Sequence, residues 1–128
     1  MTIVTIKSFI AHITIGLYRG YSSKEISIDD VKKILAIGQE KIRKEANILL
    51  SAKISLCHIV CLGQDEPSVE IQFIQYPKFP ADESALKVAI TDLAIFMMEN
   101  LEQNRTVIIF PEETLMIEQT SEIDPKIK

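Results

Sequence analysis

Apolar and polar positions along the chain follow two periods, and the order in which those periods alternate predicts the elements. Over residues 3–18 the period is two. Phe9, Ala11, Ile13, Ile15 and Leu17 fall on one face, and Ser8, Ile10, His12, Thr14, Gly16 and Tyr18 on the other, the pattern of a half-buried strand. Arg19-Gly20-Tyr21-Ser22-Ser23 breaks it. Val31, Ile34, Leu35, Ile42 and Ala46 then recur at helical spacing, with Ser27 and Asp30 placed as a capping box and Asn47 as a stop. Gly38 lies within that stripe, where it costs about 1 kcal/mol relative to Ala, and is expected to permit close approach to the sheet.

The alternation returns over residues 51–62, with Ile54, Leu56, His58, Val60 and Leu62 on one face and Lys53, Ser55, Cys57, Ile59 and Cys61 on the other. Residues 63–67 read as a five-residue hairpin turn, followed by a third strand over 68–76 that Pro77 and Pro80 close. A second helix is expected over 83–103 with Asp82 as its cap. Its middle, residues 93–98, is apolar almost all round, which one sheet face does not require, so part of it is expected to meet another subunit. Asn104 suits a left-handed cap, residues 106–110 a fourth strand stopped by Pro111, and residues 114–117 a further short strand.

The order βαββαβ points to an α+β domain of the ferredoxin-like, split βαβ type. Right-handed crossovers give a four-stranded antiparallel sheet of order 4-1-3-2, both helices on one face and the other face open. At 128 residues the chain is long enough for one core. A single domain is expected over residues 1–119, with residues 120–128 a frayed polar tail. The element order is similar to that of tautomerases, copper-tolerance proteins and small regulatory ligand-binding domains. No motif carries that similarity further, and Thr2 stands where tautomerases use an N-terminal Pro.

Charge narrows the partners. The net charge is -4, and the Lys and Arg of the first helix alternate with Glu, a solvated face rather than a phosphate track. Nucleic acid is therefore not an expected partner. No run reaches the roughly 18 apolar residues of a membrane span. Residues 8–18 superficially resemble a signal segment, but His12, Thr14, the strand alternation and the lack of a small-residue cleavage site argue for a strand, so the cytoplasm is the expected compartment.

The chemistry is sparse. No Gly-rich phosphate loop, His-Glu-x-x-His or Gly-x-Ser-x-Gly occurs. Cys57 and Cys61 lie four residues apart on one strand, roughly 13 Å, too far to share an ion or a disulfide, and His58 points to the other face. No metal and no cofactor are expected. His12 and Glu70 fall on the open face of neighbouring central strands, where a His beside a carboxylate can act as an acid or base. Tyr18, Ser55, Cys57, Gln72 and Tyr76 are expected to line the same surface. Tyr76-Pro77-Lys78-Phe79-Pro80 reads as a rigid aromatic loop, and Pro111-Glu112-Glu113 as a structural strand end.

The leading expectation is a homo-oligomeric binding module that takes a small molecule or a protein partner on the open sheet face or at a subunit seam. The alternatives are a small isomerase- or hydrolase-like enzyme using His12 and Glu70, and a purely structural interaction protein.

Overall fold

A computed structural model describes residues 1–125. The elements run β1 (Ile10–Gly16), α1 (Ile28–Ala46), β2 (Ala52–Cys61), β3 (Gln64–Ile74), α2 (Glu83–Asn100), β4 (Arg105–Ile109) and β5 (Thr114–Glu118). The helix signals act where the sequence puts them. The Ser27 hydroxyl accepts the Asp30 amide at 3.0 Å, and Asn47 ends α1 in the left-handed conformation at φ 55°. The Asp82 carboxylate caps α2 by accepting from the Ala85 amide. After α2 the left-handed residue is Glu102, not the expected Asn104.

All five strands pair antiparallel in the order β2-β3-β1-β4-β5. The first four keep the expected 4-1-3-2 order read from the other edge. The sheet has five strands rather than the expected four, because β5 turns back along β4 after Pro111 and pairs through five residue couples from Ile109↔Thr114 to Arg105↔Glu118.

Ala11, Ile13 and Ile15 of β1, Val69, Ile71 and Phe73 of β3 and Ile108 of β4 form the buried face and meet Val31, Leu35, Leu86, Ile90, Leu93 and Met97 of the two helices. The apolar circumference of α2 has its cause here. Leu86, Ala89, Ile90, Leu93, Ala94, Met97 and Met98 are all buried, and α1 packs alongside α2 as well as on the sheet. Gly38 makes its close approach to α2 instead of the sheet. A Cβ there would stand 2.4 Å from Leu93 Cδ1 and 3.0 Å from Phe96 Cδ1. Neither helix is long and apolar enough to cross a membrane.

The hairpin departs most from the sequence pattern. The turn is two residues, Leu62 and Gly63, both at positive φ (50° and 83°), between the paired Cys61 and Gln64. Such a turn matches the strand twist and needs no longer loop. Strand β3 therefore begins at Gln64, and Pro67 lies inside it opposite His58. Its carbonyl accepts from Leu17, so its missing N–H also points toward β1, just past the last β1 couple Gly16↔Ser68, and no bond to β2 is lost.

Candidate functional site

The pleat carries residues 10, 12, 14 and 16 of β1 onto the sheet face away from the helices, against residues 74, 72, 70 and 68 of β3. His12 and Glu70 share this open face, as expected, and the ladder, which the sequence left open, brings His12 Nδ1 to 3.1 Å from Glu70 Oε1. Both side chains are partly accessible, at 30% and 43%. Gln72 is the direct partner of His12 in the ladder. Ser55 faces Glu70 from β2, and Cys57 faces Ser68. Burial, and secondarily the Glu70 carboxylate, push the Cys57 thiol up, so it stays protonated and is a poor nucleophile.

Two of the sequence candidates fall elsewhere. Tyr76 is stacked on Phe79, centroids 5.8 Å apart, beyond the Ile10↔Ile74 couple. From there to the Gly16 end of β1 is about 20 Å along the strand. Tyr18 leaves β1 at that far end, where its backbone bridges Glu25 and it lines a small hollow with Tyr21, Gln64 and Glu66. The carboxylates of Glu112 and Glu113 are held by Lys87 Nζ, at 2.8 and 3.8 Å.

The larger hollow, about 410 Å³, opens beside that small one over the Gly16 end of the sheet. Its floor is Thr14 and Gly16, and Ile59, Cys61 and Glu66 of the hairpin form one wall. Gly16 is what admits the carboxylate. A Cβ at that position would meet Glu66 Oε1 at 2.0 Å and Gln103 Oε1 at 3.3 Å. Glu66 thus reaches across the bare backbone of β1 toward the buried Gln103. The Gln103 amide is fixed by donating to the Tyr18 and Leu101 carbonyls at 2.8 and 3.1 Å.

The opposite wall is tied to the segment after β5. Asn104 Nδ2 donates to Tyr21 Oη at 3.1 Å and to the Thr120 carbonyl at 3.3 Å, and its Oδ1 accepts the Thr120 amide at 3.2 Å. Tyr21 Oη and Arg105 Nη2 each donate to the Glu122 carbonyl at 3.0 Å. These bonds hold residues 119–124 against the domain and put Asp124 on the hollow. The expected frayed tail is therefore anchored at Thr120 and Glu122, and its last three residues lie outside those described. The Arg105 guanidinium is bound to Glu118 at 2.7 Å, which raises its pKa and occupies its charge.

Sequence reasoning located His12 and Glu70 but not Gly16, Glu66, Tyr21, Gln103 or Asp124. Pro67 concealed Glu66 by suggesting a loop. The signal that would have found it is Leu62-Gly63 as a two-residue turn, after which Glu66, Ser68, Glu70 and Gln72 alternate onto one face.

No family model matches the chain, and no curated protein matches it in sequence. Phage SAM lyases are among the solved structures that match in fold. A phage SAM lyase in complex with S-methyl-5'-thioadenosine aligns over 96% of this chain and 98% of its own, with a TM-score of 0.66 and 21% identity. A phage SAM lyase in the apo state aligns over 89% and 92%, with a TM-score of 0.64 and 20% identity. At these identities the likeness establishes a shared fold.

Proposed function

We propose that the chain is a small cytosolic lyase that acts on S-adenosylmethionine and releases S-methyl-5'-thioadenosine from the hollow over Gly16. The observation that carries this reading is the likeness, over nearly the whole of both chains, to a phage SAM lyase that holds S-methyl-5'-thioadenosine. It favours the enzyme alternative over a binding module.

The hollow supports the reading in size and charge. About 410 Å³ falls in the range of small-molecule sites, ~300–1,000 Å³. Glu66 and Asp124 line it together with Arg105, which is paired with Glu118. Two carboxylates with the aromatic ring of Tyr21 suit a sulfonium cation.

The substrate brings its own leaving group. When the bond between sulfur and the amino-acid chain breaks, the electron pair goes to sulfur, which becomes a neutral thioether. The departing four-carbon fragment is balanced by losing one proton from the adjacent carbon as a carbon–carbon double bond forms. We assign that proton to His12. With Glu70 accepting from Nδ1–H, the His12 Nε2 lone pair is free to take it. Thr14, on the hollow floor, is the ladder partner of Glu70, so the pair adjoins the hollow on the same face.

The test is to incubate the purified chain with S-adenosylmethionine and follow S-methyl-5'-thioadenosine by chromatography and mass spectrometry. Release by the wild type is expected, with a loss of about 10²–10⁴-fold in His12→Ala. Unchanged turnover in His12→Ala would remove His12 from the mechanism and leave the fragment to close on its own carboxylate. A wild-type chain that neither releases nor binds S-methyl-5'-thioadenosine overturns the whole reading.

A further inference from the structure

We infer that the Gly16 end of the hollow is a hydrogen-bond acceptor subsite for the ribose hydroxyls of a nucleoside, and that Gln103 is the residue that selects them. The inference rests on the reading of the chain as a lyase for S-adenosylmethionine, and names the part of that substrate that lies over Gly16.

Gln103 is 8% exposed and lines the hollow just before β4. Two backbone carbonyls decide which way its amide faces. Nε2 donates to those of Tyr18 and Leu101, at 2.8 and 3.1 Å. Turned over, the amide would set Oε1 against both carbonyl oxygens, so it stays as it is. Oε1 is thereby held on the side of Gly16, 3.3 Å from where a Cβ would stand. Among the described residues no donor reaches it. A fixed acceptor without a donor, on the wall of a cavity, is preorganised for a donor that a bound molecule supplies.

The groups beside it have the same polarity. Ser68, the ladder partner of Gly16, is 1% exposed and donates its hydroxyl hydrogen to the Glu66 carbonyl at 3.2 Å, which leaves its oxygen as an acceptor. Glu66 Oε1 lies over Gly16, 2.0 Å from the same Cβ position, and a carboxylate only accepts. Thr106 is also buried, with an unpartnered hydroxyl, but it alternates with the core residue Ile108 along β4, so that hydroxyl lies on the helix side of the sheet.

Acceptors gathered at one end of a cavity select a group that donates at every contact. A ribose carries two neighbouring hydroxyls, each free to turn its hydrogen toward an acceptor. An adenine edge sets a ring-nitrogen acceptor beside its amine, and so calls for a protein donor that Gln103, Ser68 and Glu66 do not supply. The placement of the chemistry agrees. His12 and Glu70 adjoin the floor at Thr14, so the amino-acid chain that loses its proton runs that way, and the nucleoside is left over Gly16.

Calorimetry of the full chain tests this, with S-methyl-5'-thioadenosine, its 2'-deoxy and 3'-deoxy analogues, and the analogue that lacks the adenine amine. At least one deoxy analogue is expected to bind about ten- to a hundred-fold more weakly than the parent, the effect of one hydrogen bond lost from a polar site. Gln103→Met keeps an unbranched side chain of similar length and removes the acceptor. It is expected to shrink the deoxy penalty to about two-fold or less while leaving any penalty for the missing amine unchanged, with far-UV circular dichroism as the fold control. Should Gln103→Met fail to fold, NMR of wild type labelled at the glutamine side-chain carbonyls decides. The Gln103 signal should shift with S-methyl-5'-thioadenosine and stay in place with the weaker deoxy analogue at saturation. Full affinity for both deoxy analogues overturns the inference while the lyase reading stands. So does a deoxy penalty that Gln103→Met leaves intact, an amine penalty that it erases, or a Gln103 signal that moves equally with both ligands. A chain that binds no S-methyl-5'-thioadenosine overturns the lyase reading and this inference with it.

Discussion

Replacing Gly16 by Ala separates the fold from the site more cleanly than any other single change. The new Cβ would lie 2.0 Å from Glu66 Oε1, so the carboxylate must retreat by about 1.4 Å to reach an ordinary contact of 3.4 Å. Gln103 Oε1, at 3.3 Å, need barely move. The strand itself gains, because Ala is better than Gly there by roughly 0.5–1 kcal/mol. The clash falls on the far end of a flexible side chain, so the retreat of Glu66 leaves most of that gain. A misplacement of this size at a catalytic or binding group costs on the order of 10²-fold. We therefore expect Gly16→Ala to melt at or above the wild-type temperature while binding S-methyl-5'-thioadenosine about ten-fold or more weakly by calorimetry. Turnover of S-adenosylmethionine should fall about 10²-fold. In a Glu66→Ala background the same substitution should cost nothing further, since the group it displaces is gone. Wild-type binding and turnover in Gly16→Ala would refute the assignment of Glu66. A lowered melting temperature would refute the argument that the strand tolerates the methyl group.

Three further outcomes follow from the geometry. Gly38→Ala should destabilise the fold by about 1–3 kcal/mol in urea titration, despite its better helix propensity, because the added methyl group overpacks against Leu93 and Phe96 at the α1–α2 contact. The Asp82 pKa is lowered first by the Ser84 hydroxyl and then by the Ala85 amide. Its contribution is present above the ordinary carboxylate range and is lost as the pH falls through the depressed value, so the difference in melting temperature between wild type and Asp82→Ala should shrink on acidification. Cys61 is exposed, whereas the half-buried Cys57 has its thiol pushed up by burial. Iodoacetamide at neutral pH should label Cys61 first, and peptide mapping that finds Cys57 modified as fast would contradict this placement.

Local signals determined much of the fold. The period-two and helical stripes, the Ser27 and Asp82 caps and the Asn47 stop each act within a few residues, so they placed α1, the start of α2 and the central strands. Crossover handedness then gave the order of the first four strands. That His12 and Glu70 share the open face was legible because both strands bury the other face, and a slip by one residue would put Ala11 and Ile71 in water; which couples form along the ladder was not legible.

Other features depended on contacts between residues far apart in sequence. That α2 is apolar all round said only that it needed covering. Gly38 and the packing of α1 supplied the cover from within the chain. Pro67 reads as a turn former unless its missing N–H is known to point past the end of the β1 ladder. The hollow joins Gly16, Glu66, Gln103 and Asp124, brought together from four parts of the chain. Sequence patterns report on neighbours one strand pleat or one helical turn apart. A site assembled across a sheet end, from a glycine that admits a carboxylate and a segment tied back by Asn104, exists only once the strands are paired.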